Sequence, residues 1–136
     1  MENWLLTALI SLVIYGFWGF FPKLAVSYIN PQSALVYQVA GAAVVGLLAL
    51  SFIQFQPETH PKGILFAMLT GIAGILGTLF FFAAARSGKI AVVVSITALY
   101  PLFTILLAAL FLREPITMKQ LAGMALALIA IVLMSA

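Results

Sequence analysis

The sequence predicts an all-α integral membrane protein with five transmembrane helices. Two observations predict this fold: 65% of the 136 residues are hydrophobic and only 7% are charged, and the polar residues cluster in short turns between long apolar runs. A soluble domain of this size could not bury that much apolar surface, so lipid is the expected solvent. About 20 apolar residues cross a bilayer core of roughly 30 Å. We expect a single membrane domain over residues 1–136, with spans at residues 4–25, 32–55, 63–85, 90–112 and 118–136.

The first span carries a stripe of hydroxyl and aromatic side chains. They recur every three or four residues and therefore share one helical face: Thr7, Ser11, Tyr15, Trp18 and Pro22. Such a stripe on an otherwise apolar helix favours a protein-lined or polar cavity. Alternatively, the hydroxyls bond their own backbone and the aromatic rings mark the membrane interface. Because Tyr15 and Trp18 lie inside the span, we treat both as candidate substrate-binding residues.

The second span begins with a clear helix-start signal and contains an isolated amide. Asn30 is predicted to cap the helix, with Pro31 in its first position. Tyr37 and Gln38 follow in the first half of the span. An unsatisfied amide in hydrocarbon is costly, so Gln38 requires a partner. That partner is either another helix or the substrate, and both Tyr37 and Gln38 are candidate site residues.

The third span contains glycines at every third position, Gly71, Gly74 and Gly77. This spacing favours either close helix packing or exposure of backbone to a cavity. A nucleotide-binding loop is excluded, because no strand precedes the glycines and no lysine follows them. In the flanking turns, His60 is expected to be a surface residue rather than a proton relay, and Gly88 is predicted to form a left-handed helix cap.

The fourth span, residues 90–112, has no charge and holds a proline near its centre. Pro101 has no N–H, so the carbonyl of Thr97 is predicted to lose its helical partner in mid-membrane. Thr97, Tyr100 and Pro101 fall on one side of the helix and are candidate substrate-binding residues. The kink is either purely structural or part of a ligand site. Beyond the turn, Thr117 and Gln120 fit a capping box that begins the fifth span.

The ionisable residues exclude several classes of function. All three carboxylates, Glu2, Glu58 and Glu114, lie in ends or turns, and cysteine is absent. The sequence therefore predicts no enzyme, no cofactor or metal site, and no proton coupling through a buried acid. The basic excess lies between apolar runs, so it does not indicate a nucleic-acid partner. A cavity lined by Tyr, Trp, Thr and Gln favours neutral, zwitterionic or aromatic solutes.

The basic residues divide equally between the two membrane faces. Five spans would place Lys62, Arg113 and Lys119 on the face of the N-terminus. The other face would hold Lys23, Arg86 and Lys89. Orientation follows the Lys and Arg bias, which is zero here. We expect insertion in both orientations and an antiparallel homodimer with the inverted symmetry common in transporters; alternatively, another cue selects one orientation.

Several segments together resemble a known family. They are Tyr15-Gly16-Phe17-Trp18-Gly19 with the later Lys23, Asn30-Pro31, Ala83-Ala84-Ala85-Arg86-Ser87-Gly88, Tyr100-Pro101-Leu102-Phe103, and Leu112-Arg113-Glu114-Pro115-Ile116-Thr117 with Gln120 and Gly123. In these segments the chain resembles one five-span EamA-type unit of the drug/metabolite transporter superfamily. Members are mostly ten-span transporters built from two inverted copies of the unit, and single units are thought to pair as dimers. Gln38 stands where the family often carries arginine, so no anion-binding role is carried over.

The leading hypothesis is a multi-pass transporter of the cell (inner) membrane that works as an antiparallel homodimer. Its substrates would be small metabolites, such as amino acids or related neutral, zwitterionic or aromatic solutes. We expect them to bind between spans one to four of both copies and to leave by efflux or exchange through alternating access. The alternative is a non-transporting membrane interaction protein, or a half-transporter that needs a different partner.

Overall fold

The computed structural model describes residues 4–135, which are helical apart from short turns. Glu2 and Ala136, which entered the sequence predictions, lie outside the described residues. No strand occurs in the described part, and the prediction of an all-helical chain is confirmed. The helices are α1 (Trp4–Tyr28), α2 (Pro31–Phe52), α3 (Pro61–Ser87), α4 (Ile90–Thr97), α5 (Tyr100–Leu107) and α6 (Met118–Ser135), with a π-helical turn at Ala108–Leu112 after α5.

Four stretches are long and apolar enough to cross a membrane. They are α1, α2, α3 and the combined stretch Ile90–Leu112, and a shorter apolar helix covers Met118–Met134. At a rise of about 1.5 Å per residue, the 25 residues of α1 extend roughly 37 Å, more than the bilayer core needs. The chain is therefore a multi-pass membrane protein.

Polar side chains cap the first turns of three helices. The Asn30 Oδ1 accepts a hydrogen bond from the Ser33 N–H at 2.7 Å, with Pro31 in the first turn of α2. The Thr117 N–H donates to the Gln120 Oε1 at 2.8 Å, and the Gln120 N–H donates to the Thr117 Oγ1 at 3.3 Å. Both predicted caps are confirmed. His60 lies exposed in its turn, as predicted, and its Nδ1 accepts the Gly63 N–H at 3.4 Å at the start of α3.

The fourth predicted span is interrupted rather than continuous. A turn at Ala98–Leu99 separates α4 from α5, and Pro101 is the second residue of α5. Proline cannot donate to the carbonyl four residues earlier, and its ring crowds that carbonyl. The break therefore falls just before Pro101, where a kink was predicted.

Two predicted chain reversals differ from the structure. Gly88 is not left-handed, because none of the described glycines has a positive φ. The left-handed residues are instead Gln54, Phe55 and Arg113. Gln54 and Phe55 lie in the predicted second span, so α2 ends at Phe52 and the chain turns three residues earlier than expected.

The chain packs as two units, the first ending at Ser87 and the second beginning at Gly88. In the first, α1, α2 and α3 contact one another; in the second, α4 contacts α6. The buried residues of the first unit lie late in α1, early in α2 and late in α3. Because successive helices run in opposite directions, these segments meet at one end. We call this the packed end, and its buried residues are Pro22, Val26, Pro31, Ala34, Thr78, Phe81, Phe82 and Ala85.

The opposite end of the first unit, which we call the open end, contains no buried residue among those described. It comprises the early part of α1, the late part of α2 and the early part of α3. Gly71 lies toward this end, Gly74 at the middle of α3 and Gly77 beside the buried Thr78. A Cβ built on any of the three would meet no atom of a neighbouring helix within 4 Å. Within the described chain, therefore, these glycines do not serve close helix packing.

Candidate functional site

A cleft of about 300 Å³ lies among the three helices of the first unit, alongside the packed end. Helix α1 supplies one wall, α2 the second, and α3 a single aromatic ring. No charged side chain is among the lining residues, which are Trp18, Phe21, Pro22, Ala25, Ile29, Ala34, Tyr37, Gln38 and Phe82.

Trp18 lines the cleft, and its ring packs against the ring of Phe81. Its ring lies 5.2 Å from the ring of Phe81, centroid to centroid, with 37° between the planes. Phe81 is buried, whereas 40% of Trp18 is exposed, so part of the indole is available for stacking. One turn later, Pro22 has no N–H to give to the Trp18 carbonyl, so α1 lacks one rung of its hydrogen-bond ladder beside the cleft.

Tyr37 and Gln38 supply the polar groups on the α2 side. Gln38 is half-buried, and its amide makes no hydrogen bond to another residue in the part of the chain that the structure describes. An amide offers two N–H donors and one carbonyl acceptor. The interhelical partner considered for Gln38 is not found among the described residues.

Most of the hydroxyl groups in the spans bond their own helices. The Thr7 Oγ1 donates to the Trp4 carbonyl at 2.8 Å, and the Thr104 Oγ1 donates to the Tyr100 carbonyl at 3.2 Å. The Thr97 Oγ1 lies 2.9 Å from the Val93 carbonyl and 3.1 Å from that of Val94. Each of these hydroxyls bonds the preceding turn, and for Thr7 this is the alternative considered for the first span.

The structure brings together only some of the predicted site residues. Trp18, Tyr37 and Gln38 line one cleft. Tyr15 lies on the same helix as Trp18 but is exposed and does not line this cleft. Thr97, Tyr100 and Pro101 belong to the second unit, where they flank the break between α4 and α5.

Lys23 is a residue that the sequence interpretation placed differently. The first span was predicted to end at residue 25, just after Lys23, yet α1 continues to Tyr28. The Lys23 Nζ donates a hydrogen bond of 2.8 Å to the Ala85 carbonyl of α3. The available signal was the apolar sequence that continues after Lys23, since a lysine inside an apolar helix requires a nearby partner.

Comparisons with known proteins identify a transporter family. The pattern of the EamA-like transporter family matches residues 2–136. An uncharacterized protein of Methanocaldococcus jannaschii is 29% identical over 139 residues, covering 99% of this chain and 98% of that protein. The uncharacterized transporter YvbV of Bacillus subtilis is 42% identical over 60 residues, covering 44% of this chain and 20% of YvbV. No solved structure matches the chain.

Proposed function

Because the chain belongs to the EamA-like transporter family, we propose that it carries small neutral, zwitterionic or aromatic metabolites, including amino acids, across the cell (inner) membrane. The observation that carries the substrate class is the uncharged cleft, in which an indole face and an amide border the same space. A solute with a flat or apolar side and a hydrogen-bonding side matches this arrangement.

The chemistry of the cleft gives each wall a role. The exposed part of Trp18 would stack on the apolar side of the substrate, and Phe82 would add a further apolar surface. The Gln38 amide would donate to a carboxylate or carbonyl oxygen and accept from an ammonium or hydroxyl. A cation would find no carboxylate to pair with in the cleft, because no charged side chain lines it. Tyr15, Thr97, Tyr100 and Pro101 remain predictions of the sequence.

The functional form that we propose is an antiparallel homodimer of five-span chains that works by alternating access. Equal basic residues on the two faces favour insertion in both orientations. At the open end, an added Cβ on Gly46 or Gly71 would meet no described atom of another helix within 4 Å, so this end offers close-approach surface to a second copy. Sixty residues are 20% of YvbV, which is therefore about 300 residues long, roughly twice this chain. A single chain of that length has room for two such units.

Reconstituted flux tests the site. In proteoliposomes loaded with radiolabelled amino acids, Trp18→Ala and Gln38→Leu should each reduce flux at least tenfold, because each removes a proposed substrate contact while the chain still inserts. Tyr100→Ala should also lose flux. The matched control is Trp4→Ala, which removes the other tryptophan from the same helix, away from the cleft. Full flux in Trp18→Ala and Gln38→Leu would refute the site.

Orientation mapping tests the dimer. A tag at the C-terminus should be reached by membrane-impermeant probes from both faces in comparable amounts, and cross-linking should capture dimers. A single orientation without self-association would refute the antiparallel homodimer. That outcome would favour the alternative, a half-transporter that needs a different partner.

A further inference from the structure

Lys23 connects two helices at the packed end. Its side chain is half-buried, and its Nζ reaches from α1 to the Ala85 carbonyl on α3 at 2.8 Å. Its chain neighbour Pro22 lines the cleft, and Phe82, which also lines it, lies one turn before Ala85. The hydrogen bond therefore joins α1 to α3 directly beside the cleft.

The Ala85 carbonyl requires a hydrogen-bond donor from outside its own helix. Ala85 is among the last four residues of α3, whose carbonyls have no partner within the helix. The residue is 0% exposed, so water cannot easily replace the ammonium. A cation is also favoured at this end of a helix, where the helix dipole is negative. Removing the ammonium would leave a buried carbonyl without this donor, which is unfavourable.

The donor lies where α1 is easiest to bend. Pro22 removes one hydrogen bond from the α1 ladder immediately before Lys23. Prolines within helices are common sites of bending. Movement of the last part of α1 away from α3 would therefore require little loss of helical bonding, provided that the Lys23–Ala85 bond breaks.

We propose that Lys23 is a positioning residue whose hydrogen bond to Ala85 clamps α1 against α3 and keeps the packed end closed. In the transport cycle this bond breaks when the cleft opens toward that end and re-forms when it closes. The link to the cycle rests on the proposed transport function, but the clamp itself does not.

Cysteine accessibility tests the clamp without a substrate. The natural chain has no cysteine, so each introduced thiol is unique. Val26→Cys places a reporter on α1 one turn after Lys23, at a position only 6% exposed. Tyr28→Cys, at a position 87% exposed near the end of α1, gives the reference rate for a membrane-impermeant maleimide in proteoliposomes.

Adding Lys23→Met should raise the labelling rate of the Val26→Cys reporter about tenfold relative to the Tyr28→Cys reference, because a hydrogen bond from a charged donor is lost. Lys23→Arg should restore slow labelling, since guanidinium also donates to a carbonyl. The matched control is Lys62→Met, which removes a lysine from the first turn of α3 at the open end and should leave the rate unchanged. Monodisperse elution in detergent confirms that each variant is folded.

Labelling of the Val26→Cys reporter that stays slow in a folded Lys23→Met variant would overturn the proposal. An equal increase in Lys62→Met would also overturn it, because the effect would then be general loosening. If Lys23→Met does not fold, the Lys23→Arg and Lys23→Gln variants are compared by the labelling rate of the same reporter. Labelling should be slow in Lys23→Arg. It should be fast in Lys23→Gln, because the shorter glutamine side chain reaches the Ala85 carbonyl less well. Equal rates in those two would contradict the clamp.

Transport kinetics give a second readout. With a transported amino acid, Lys23→Met should lower the maximal flux several-fold and leave KM within about twofold, because the cleft lining is intact. A rise in KM with unchanged maximal flux would show that Lys23 binds substrate instead of positioning α1. Absence of flux in the natural protein would refute the proposed function, whereas the labelling result would still decide the clamp.

Discussion

The two ends of the first unit are built from the same three helices, but only one of them is packed. At the packed end, large and small side chains such as Phe82 and Ala34 are buried, and a lysine donates to a buried carbonyl. At the open end the same helices expose leucines, phenylalanines and glycines. Apolarity alone does not distinguish the two ends. In a membrane, lipid solvates apolar side chains as well as protein does, so packing depends on shape and on polar pairing.

The contrast extends to neighbouring residues on one helix. Phe80 and Phe82 lie two positions apart on α3, yet Phe80 is 72% exposed and Phe82 is 4% exposed. A phenylalanine that contacts acyl chains contacts them in both the folded and the unfolded protein, so it adds little to stability. A buried ring contributes through close packing that lipid does not reproduce.

The largest expected effect therefore comes from the buried ring. Phe82→Ala should lower the free energy of unfolding by about 3 kcal/mol, because it leaves a cavity at the packed end. Phe80→Ala, its matched control, should change it by less than about 0.5 kcal/mol. Both are measured by SDS titration in detergent, at dilution where the chain is monomeric. Equal losses in the two variants would remove the distinction between a packed and a lipid-exposed face.

An intermediate effect is expected from adding volume at each end. Ala85→Leu should destabilise the monomer by about 1–3 kcal/mol, because Ala85 is fully buried and does not line the cleft. Gly71→Leu should leave monomer stability nearly unchanged, since its Cβ position is open. If the open end is covered by a second copy, Gly71→Leu should instead reduce the dimer fraction measured by cross-linking. Destabilisation of the monomer by Gly71→Leu would contradict the open end.

The smallest effect concerns the turn that joins α1 to α2 at the packed end. Asn30→Ala should cost about 1 kcal/mol, because the Ser33 N–H loses its side-chain acceptor. Asn30→Ser retains an acceptor and should remain within a few tenths of the natural stability in the same SDS titration. A loss of equal size in Asn30→Ser would show that the packed end depends on the amide itself rather than on capping.

Local signals predicted most of the helical framework. Asn30-Pro31 and Thr117-x-x-Gln120 are capping patterns that act within one turn, so they could be identified without knowledge of the packing. Pro101 correctly indicated a disturbance of the fourth span, but not the complete turn at Ala98–Leu99. Gly88 and Phe55 were misjudged because the direction of a short turn depends on what the flanking helices contact.

The candidate site was predicted only in part. Trp18, Tyr37 and Gln38 could be selected as polar or aromatic groups inside apolar spans, and they meet at one cleft. Tyr15 shares the helical stripe of Trp18 but lies outside this cleft, because a stripe spans more helix length than one cleft covers. The partner of Lys23 could not be found from sequence, since Ala85 contributes only its backbone carbonyl and lies 62 residues away.

The sequence by itself determined that this chain is helical, lies in a membrane and belongs to its family, because hydropathy, capping and motif spacing act over one helix at a time. Only the tertiary structure decided which end of the three helices is packed, which aromatic rings are buried, and that Lys23 reaches across to α3. These features depend on side-chain shape and on contacts between distant segments. Hydropathy does not predict these contacts, because lipid and protein interior are equally apolar.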